Sequence, residues 1–263
     1  MNIALCLSGG IGTRLGGDTP KQYIRVGRQM VITYCLETLL CSKWIDIVIV
    51  VAAEKWRAEI LEDVGAKRQR NDQWVYEGKV ICFADPGENR QLSILNGMEK
   101  AVSLNLLSTE QDFQTVGMKS DMTDRNDANT VFVHDAARPM LTESQIDACF
   151  RALPGHDGVM PVLPMKDTVY YSEDGKGISQ LLKREKIFAG QAPELFLLEK
   201  YLEATKTLLP DRIMEIKGSG EPAVMHGMDI VMIPGDEGNF KITTAADLIR
   251  FREFIEKAVT EDG

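Results

Sequence analysis

The sequence predicts an α/β fold: a mostly parallel β-sheet flanked by helices, with a protruding β-hairpin arm. Short apolar, β-branched runs alternate with segments of helical period along the chain, the pattern of strand–helix–strand units. A glycine-rich loop follows directly on the first such run. One segment, 166–187, breaks the alternation with two short apolar runs around a Glu-Asp-Gly-Lys-Gly turn, which marks a hairpin.

Taken in order, strands are predicted over Ile3–Leu7, Ile45–Val51, Val80–Phe83, Thr130–Val133 and Val159–Leu163, with a late one over Asp229–Ile233. Helices are predicted over Met30–Leu40, Lys55–Val64 and Arg90–Leu106. In the last of these, Leu92, Leu95, Met98 and Val102 recur at three- and four-residue steps and form one buried stripe. Thr244-Ala245-Ala246-Asp247 reads as a capping box that opens a final helix. Residues 108–129 are polar and aperiodic and read as a surface excursion or a partly mobile loop. Neither a repeat nor a linker divides the chain, so 1–263 is read as a single domain. In a Rossmann-like sheet of this kind, ligands sit beyond the carboxyl ends of the strands.

Composition narrows the function. The hydrophobic fraction of 44% and charged fraction of 26% allow a sizeable core. A net charge of −9 argues against a general nucleic-acid binder, so any anionic ligand must be met by a few locally placed cations. The N-terminal apolar run is short and lacks the basic flank of a signal peptide, and no run is long enough for a membrane span. The five cysteines, Cys6, Cys35, Cys41, Cys82 and Cys149, are widely spaced in apolar surroundings without a C-x-x-C pair. They are expected as buried thiols in a reducing, cytoplasmic setting.

The loop after the first strand runs Ser8-Gly9-Gly10-Ile11-Gly12-Thr13-Arg14-Leu15-Gly16-Gly17-Asp18-Thr19-Pro20-Lys21. Glycines let a backbone approach a ligand and turn successive N–H groups toward an anion. The dinucleotide fingerprint fails because Leu15 stands where its third glycine belongs, and no acidic residue closes the second strand. A P-loop fails for want of a Gly-Lys-Ser/Thr step. What remains is a glycine turn with Arg14 and Lys21 beside it, suited to a triphosphate and to the charge that builds up at an attacked phosphorus.

The chain resembles the methylerythritol-phosphate and ribitol-phosphate cytidylyltransferases, nucleotidyltransferases of glycosyltransferase-A-like fold. The glycine loop with Pro20-Lys21-Gln22-Tyr23 carries the likeness, as do Pro86-Gly87-Glu88-Asn89-Arg90-Gln91-Leu92-Ser93 and His134-Asp135-Ala136-Ala137-Arg138-Pro139. Pro164–Thr168, Gly190–Pro193 and Gly238–Thr244 continue it in the same order. The resemblance implies transfer of CMP from CTP to a polyol phosphate with release of pyrophosphate. It implies catalytic roles for Arg14, Lys21 and Lys241, and Mg²⁺ on Asp135. Ser8, Gly9, Gly10, Gly12, Gly87, Glu88 and Ser93 would bind the nucleotide. Arg138, Asp167, Thr168 and Arg184 would bind the acceptor, the last three from the arm of a homodimer partner.

The residues themselves leave some alternatives open. Ser93 near a helix start also suits a structural cap, and Asp135 a turn or N-cap; His134 reads as a packed, hydrogen-bonded histidine. Ala192-Pro193-Glu194 replaces the family's Thr-Pro-Gln, and Lys217–Glu221 replaces a stretch that touches the acceptor in many members. Methylerythritol phosphate and ribitol phosphate therefore both stand as acceptors. Transfer from another nucleoside triphosphate to a sugar phosphate is the alternative activity, and a non-catalytic nucleotide-binding protein of this fold is a third reading.

Overall fold

The computed structural model describes residues 1–10, 19–70, 73–107 and 128–261; Gly12, Arg14 and most of the 108–129 segment lie outside them. The strands are β1 (Asn2–Leu7), β2 (Arg25–Val26), β3 (Gln29–Met30), β4 (Ile47–Val51), β5 (Lys67–Arg70), β6 (Gln73–Tyr76) and β7 (Lys79–Ala84). They continue with β8 (Thr130–Asp135), β9 (Gly158–Pro164), β10 (Val169–Tyr171), β11 (Gln180–Leu182), β12 (Phe188–Gly190), β13 (Glu194–Leu197) and β14 (Ile230–Pro234). The α-helices are α1 (Val31–Cys41), α2 (Glu54–Val64), α3 (Arg90–Leu107), α4 (Glu143–Ala152), α5 (Leu198–Lys206), α6 (Glu221–Met225) and α7 (Ala245–Glu261).

One sheet runs β12-β9-β13-β8-β1-β4-β7-β6-β5, with β14 also paired to β9. Its centre is parallel, and the register brings Ala84, Val51, Leu7 and Asp135 into line at the carboxyl ends of β7, β4, β1 and β8. Four loops therefore open on one edge, where the glycine loop meets Asp135.

Side-chain alternation along the central strands divides the core. Ala4, Cys6, Val48, Val50 and Phe132 pack with α1, α2 and α4, whereas Ile3, Leu5, Ile47, Ile49, Val51, Val131 and Val133 pack with α3 and α5. Burial on both faces is why these strands read as unbroken apolar runs. At about 25 cal/mol per Å² of apolar area removed from water, this burial is the main favourable contribution to folding. The α3 stripe is rotated from the predicted one: Ile94, Leu95, Met98 and Ala101 are buried, while Leu92 and Val102 lie at its margin.

Two parts of the sheet were not predicted. β13 enters antiparallel between β8 and β9, and β5 and β6 form an antiparallel edge against β7. The arm is present as predicted, β10 pairing with β11 from Val169↔Leu182 to Tyr171↔Gln180. Its Tyr170, Tyr171, Ile178 and Leu181 stand exposed. Four cysteines are buried free thiols, but Cys41, at the last position of α1, is exposed. Among the described residues no helix is long and apolar enough to cross a membrane.

Candidate active site

A cleft of about 600 Å³ opens at the carboxyl ends of the central strands, lined by residues that include Gly9, Gly10, Lys21, Glu88, Arg90, Asp135 and Lys241. Gly87 and Ser93 also line it. It thus gathers eight of the residues singled out from the sequence.

The glycine loop and the Pro86–Ser93 loop are fitted to each other. A Cβ on Gly9 would lie 2.4 Å from Pro86 Cβ, and one on Gly87 would lie 2.4 Å from Leu92 Cβ. Both glycines are therefore required by close approach rather than by an unusual φ. Asn89 Oδ1 accepts from Leu92 N at 2.8 Å, which makes Asn89 the cap of α3. Ser93 Oγ accepts from Gly87 N at 3.0 Å and donates to Asn89 O at 2.8 Å, so Ser93 ties the turn shut while facing the cleft. Ser8 lies beneath the loop, its hydroxyl donating to Val51 O at 2.9 Å.

Asp135 ends β8 with its side chain 8% exposed. Three cations surround it: Arg90 on Oδ1, Lys241 Nζ at 2.9 Å from Oδ2, and Arg138 Nε at 3.7 Å from Oδ2. Burial alone would push its carboxyl up, but Arg90 and Lys241 outweigh it and hold the group well below the usual carboxylate range. Asp135 is consequently an anion at any working pH. One ionised carboxylate at a cleft wall suits a magnesium ion that takes its remaining ligands from phosphates and water. Among the described residues no cluster of three or more His, Cys, Asp or Glu forms a complete protein cage for a metal.

Lys241 is brought here from the segment after β14. Ile242 N donates to Ala137 O at 2.8 Å, and Arg138 Nη1 donates to Asn239 O at 2.7 Å. Gln191 Nε2 donates to Asp236 O at 2.7 Å, and Asn239 Nδ2 to Ala192 O at 3.0 Å. Arg138 is thereby held behind Asp135, off the cleft wall. His134 is fully buried and donates through Nε2 to Arg138 O at 2.9 Å, the packed role its position predicted.

Asp167, Thr168 and Arg184 are exposed on the arm and do not line the cleft of their own chain. Arg184 Nη1 donates to Lys166 O at 2.9 Å, which fixes the guanidinium against the base of the hairpin.

Sequence reasoning passed over Arg90. Its guanidinium spans Asp135 and Ser219 Oγ, the latter at 3.2 Å. Behind it lies Glu194, buried, whose carboxyl is pushed up by desolvation and tempered by the Ser219 hydroxyl and Arg90. Arginine at the start of α3 carries no spacing signature; only its place in the Pro86–Ser93 motif pointed to it.

An α/β sheet with an anion-binding cleft of this composition at its switch edge is that of a nucleotidyltransferase. The family described as "IspD: 2-C-methyl-D-erythritol 4-phosphate cytidylyltransferase" matches residues 3–107 and 108–257. The chain belongs to that family. It is 30% identical over 265 residues to the "Bifunctional enzyme IspD/IspF" of Maricaulis maris, covering 99% of this chain but 59% of that protein. It is 27% identical to the "Ribitol-5-phosphate cytidylyltransferase" of Vibrio parahaemolyticus, covering 97% and 96% of the two chains. The "2-C-methyl-D-erythritol 4-phosphate cytidylyltransferase" of Neorickettsia sennetsu is 28% identical, at 95% of each. Among solved structures, the 4-diphosphocytidyl-2C-methyl-D-erythritol synthase of Anaerococcus prevotii superposes with a TM-score of 0.70 at 20% identity, over 97% and 96% of the chains. That likeness shows the shared fold.

Proposed function

We propose that the chain transfers CMP from CTP to 2-C-methyl-D-erythritol 4-phosphate or D-ribitol 5-phosphate and releases pyrophosphate, acting as one domain with its arm. The observation that carries this reading is the meeting of Arg90 and Lys241 with the Asp135 carboxylate in a glycine-walled cleft that Lys21 also lines. The two acceptors are those named for the relatives that match along nearly their whole length.

The acceptor's phosphate oxygen attacks the α-phosphorus of CTP, a new P–O bond forms, and the bond to the β-phosphate breaks to free pyrophosphate. An ionised phosphate is already a nucleophile, so no side-chain base is needed. Catalysis then consists of positioning and charge stabilisation. Lys21 and Arg14 take the triphosphate, and Ser8, Gly9, Gly10 and Gly12 of the glycine loop bind it. Gly87, Glu88 and Ser93 hold the cytidine. Lys241 leaves Asp135 for the α-phosphate, and Asp135 would hold Mg²⁺, which neutralises phosphate charge. Arg138 steadies the segment carrying Lys241 through Asn239 O and, from behind Asp135, would act on the acceptor only through its neighbours. Asp167, Thr168 and Arg184 complete the acceptor site of a second copy in a cytoplasmic homodimer.

A matrix of four nucleoside triphosphates against methylerythritol, ribitol, xylitol and glycerol phosphates, scored by pyrophosphate release, tests the reading. Release that requires both CTP and one of the two named acceptors supports it. A parallel row with a sugar 1-phosphate as acceptor tests the alternative activity, and release there with another triphosphate would replace the reading with it. No release with any pair would leave a nucleotide-binding protein.

A further inference from the structure

We propose that Gln22 is a positioning residue for the nucleotide phosphates, acting through the glycine loop rather than on the reacting atoms. The proposal rests on the reading of the cleft given above. Gln22 is 3% exposed, yet it forms part of the cleft wall. Its Nε2 donates to two loop carbonyls at once, Ser8 O and Gly10 O, each at 2.6 Å. Tyr23 O–H donates to the same Ser8 O at 2.9 Å. Tyr23 is in turn fixed by stacking on Trp56, with ring centroids 4.3 Å apart.

The consequence follows from peptide geometry. In a trans peptide the C=O and N–H point in opposite directions. With Ser8 O drawn into the interior by Gln22 and Tyr23, the N–H of Gly9 is turned outward, on the side where Gly9 and Gly10 wall the cleft. Backbone N–H groups held this way are phosphate ligands. Glycines have no side chain with which to hold one conformation, and each loses more freedom on ordering than any other residue. Gln22 supplies the restraint from outside the glycine run and reduces the ordering cost that phosphate binding must overcome.

The same turn sets Lys21. Residues Lys21–Tyr23 form one 3₁₀ turn in which Gln22 and Tyr23 are buried. Anchoring those two side chains inward leaves Lys21 on the cleft wall. Loop N–H groups and lysine are thus aimed by one device. A merely structural amide would change stability and weaken all ligands alike. A positioning amide changes phosphate binding selectively.

The test is calorimetric binding of inorganic tripolyphosphate, CTP and CMP to the wild-type chain and to Gln22→Met, which keeps length and volume but donates nothing. Tripolyphosphate and CTP affinities are expected to fall about tenfold or more, equivalent to about 1.4 kcal/mol. CMP affinity and acceptor KM should change by less than about twofold, well under the same scale. Unchanged tripolyphosphate affinity would overturn the proposal, as would an equal loss for CMP. Should Gln22→Met fail to fold, the wild-type protein still decides by NMR: the Gly9 amide must shift and its exchange must slow on adding tripolyphosphate, and an unperturbed Gly9 amide refutes the idea. Lys21→Ala separates the two levels. If it weakens tripolyphosphate while Gln22→Met does not, only the role of Gln22 falls. If the wild-type chain binds no tripolyphosphate, the reading of the cleft falls with it.

Discussion

The ammonium of Lys241 sits 2.9 Å from Asp135 Oδ2, joining the segment ahead of the last helix to the end of a central strand. Before ligand arrives, the lysine's charge is spent on a carboxylate that Arg90 and Arg138 also share. A triphosphate must therefore compete for these cations.

Asp135→Asn is expected to abolish the magnesium response and lower turnover by about 10²-fold or more, the scale of a lost transition-state charge contact. It should also do something less obvious. With their counter-ion gone, Arg90, Arg138 and Lys241 should bind pyrophosphate several times more tightly in EDTA. Calorimetry with pyrophosphate in metal-free buffer checks this; weaker binding in the variant would contradict the shared-charge account.

Lys21→Ala, Arg14→Ala and Lys241→Ala should each cost about 10²-fold in kcat with little change in melting temperature. Steady-state kinetics and thermal melting decide it. Near-normal turnover in all three would remove the loop and Lys241 from the chemistry.

The depressed Asp135 carboxyl fixes the sign of one pH effect. A group whose folded pKa lies below its unfolded value of about 3.9 contributes stability above that value, and the contribution is lost only as pH falls through the folded pKa. Asp135 thus stays ionised across the working range. The acid limb of kcat/KM should instead fall near pH 6, where a phosphate monoester takes its second proton. A limb confined to pH 4 or below in the pH–rate profile would contradict this.

Thr244 and Asp247 cap the last helix, and Asp247 Oδ2 also accepts from Thr243 N at 2.9 Å and Thr243 Oγ1 at 2.8 Å. Burial of the Asp247 carboxyl is outweighed by these bonds, which lower its pKa to about 2. Asp247→Ala should cost about 1 kcal/mol at neutral pH. The difference from the wild-type chain should shrink as pH falls from about 4 toward 2. Because Thr243 lines the cleft, KM for CTP should rise as well. Chemical denaturation at pH 7 and pH 3 tests the first part, and kinetics the second.

Tyr170, Tyr171, Ile178 and Leu181 leave the arm's two-stranded hairpin with large apolar side chains exposed. A hairpin of this size is marginal by itself, so shortening 166–187 should cost dimerisation and activity together. Mixing Arg184→Ala with Lys21→Ala chains should restore activity, since one of the two sites in a heterodimer receives both intact parts. Light scattering that finds a fully active monomer would rule the arrangement out.

The parallel centre of the sheet was legible because both faces of β1, β4 and β8 are covered, which leaves uninterrupted apolar runs. β13 was not: Glu194–Leu197 is short and flows straight into the apolar positions of α5, so periodicity does not separate them. The β5–β6 edge was missed because Lys67–Arg70 is a charged run, a composition that protects an edge strand rather than announcing one. At the cleft, the glycine loop, Asp135 and Lys241 stood out through motif and position. Arg90 and Gln22 act by reaching residues far along the chain, Asp135 and Ser219 for one and the Ser8 and Gly10 carbonyls for the other. Contacts of that kind exist only after folding.

The contact between Gly9 and Pro86 has a consequence for how this protein can change. The glycine loop and the Pro86–Ser93 loop meet where not even a methyl group fits. Any side chain at position 9 would wedge these two walls of the cleft apart. The two walls are mechanically geared to each other here, so a substitution at position 9 cannot reshape one without moving the other.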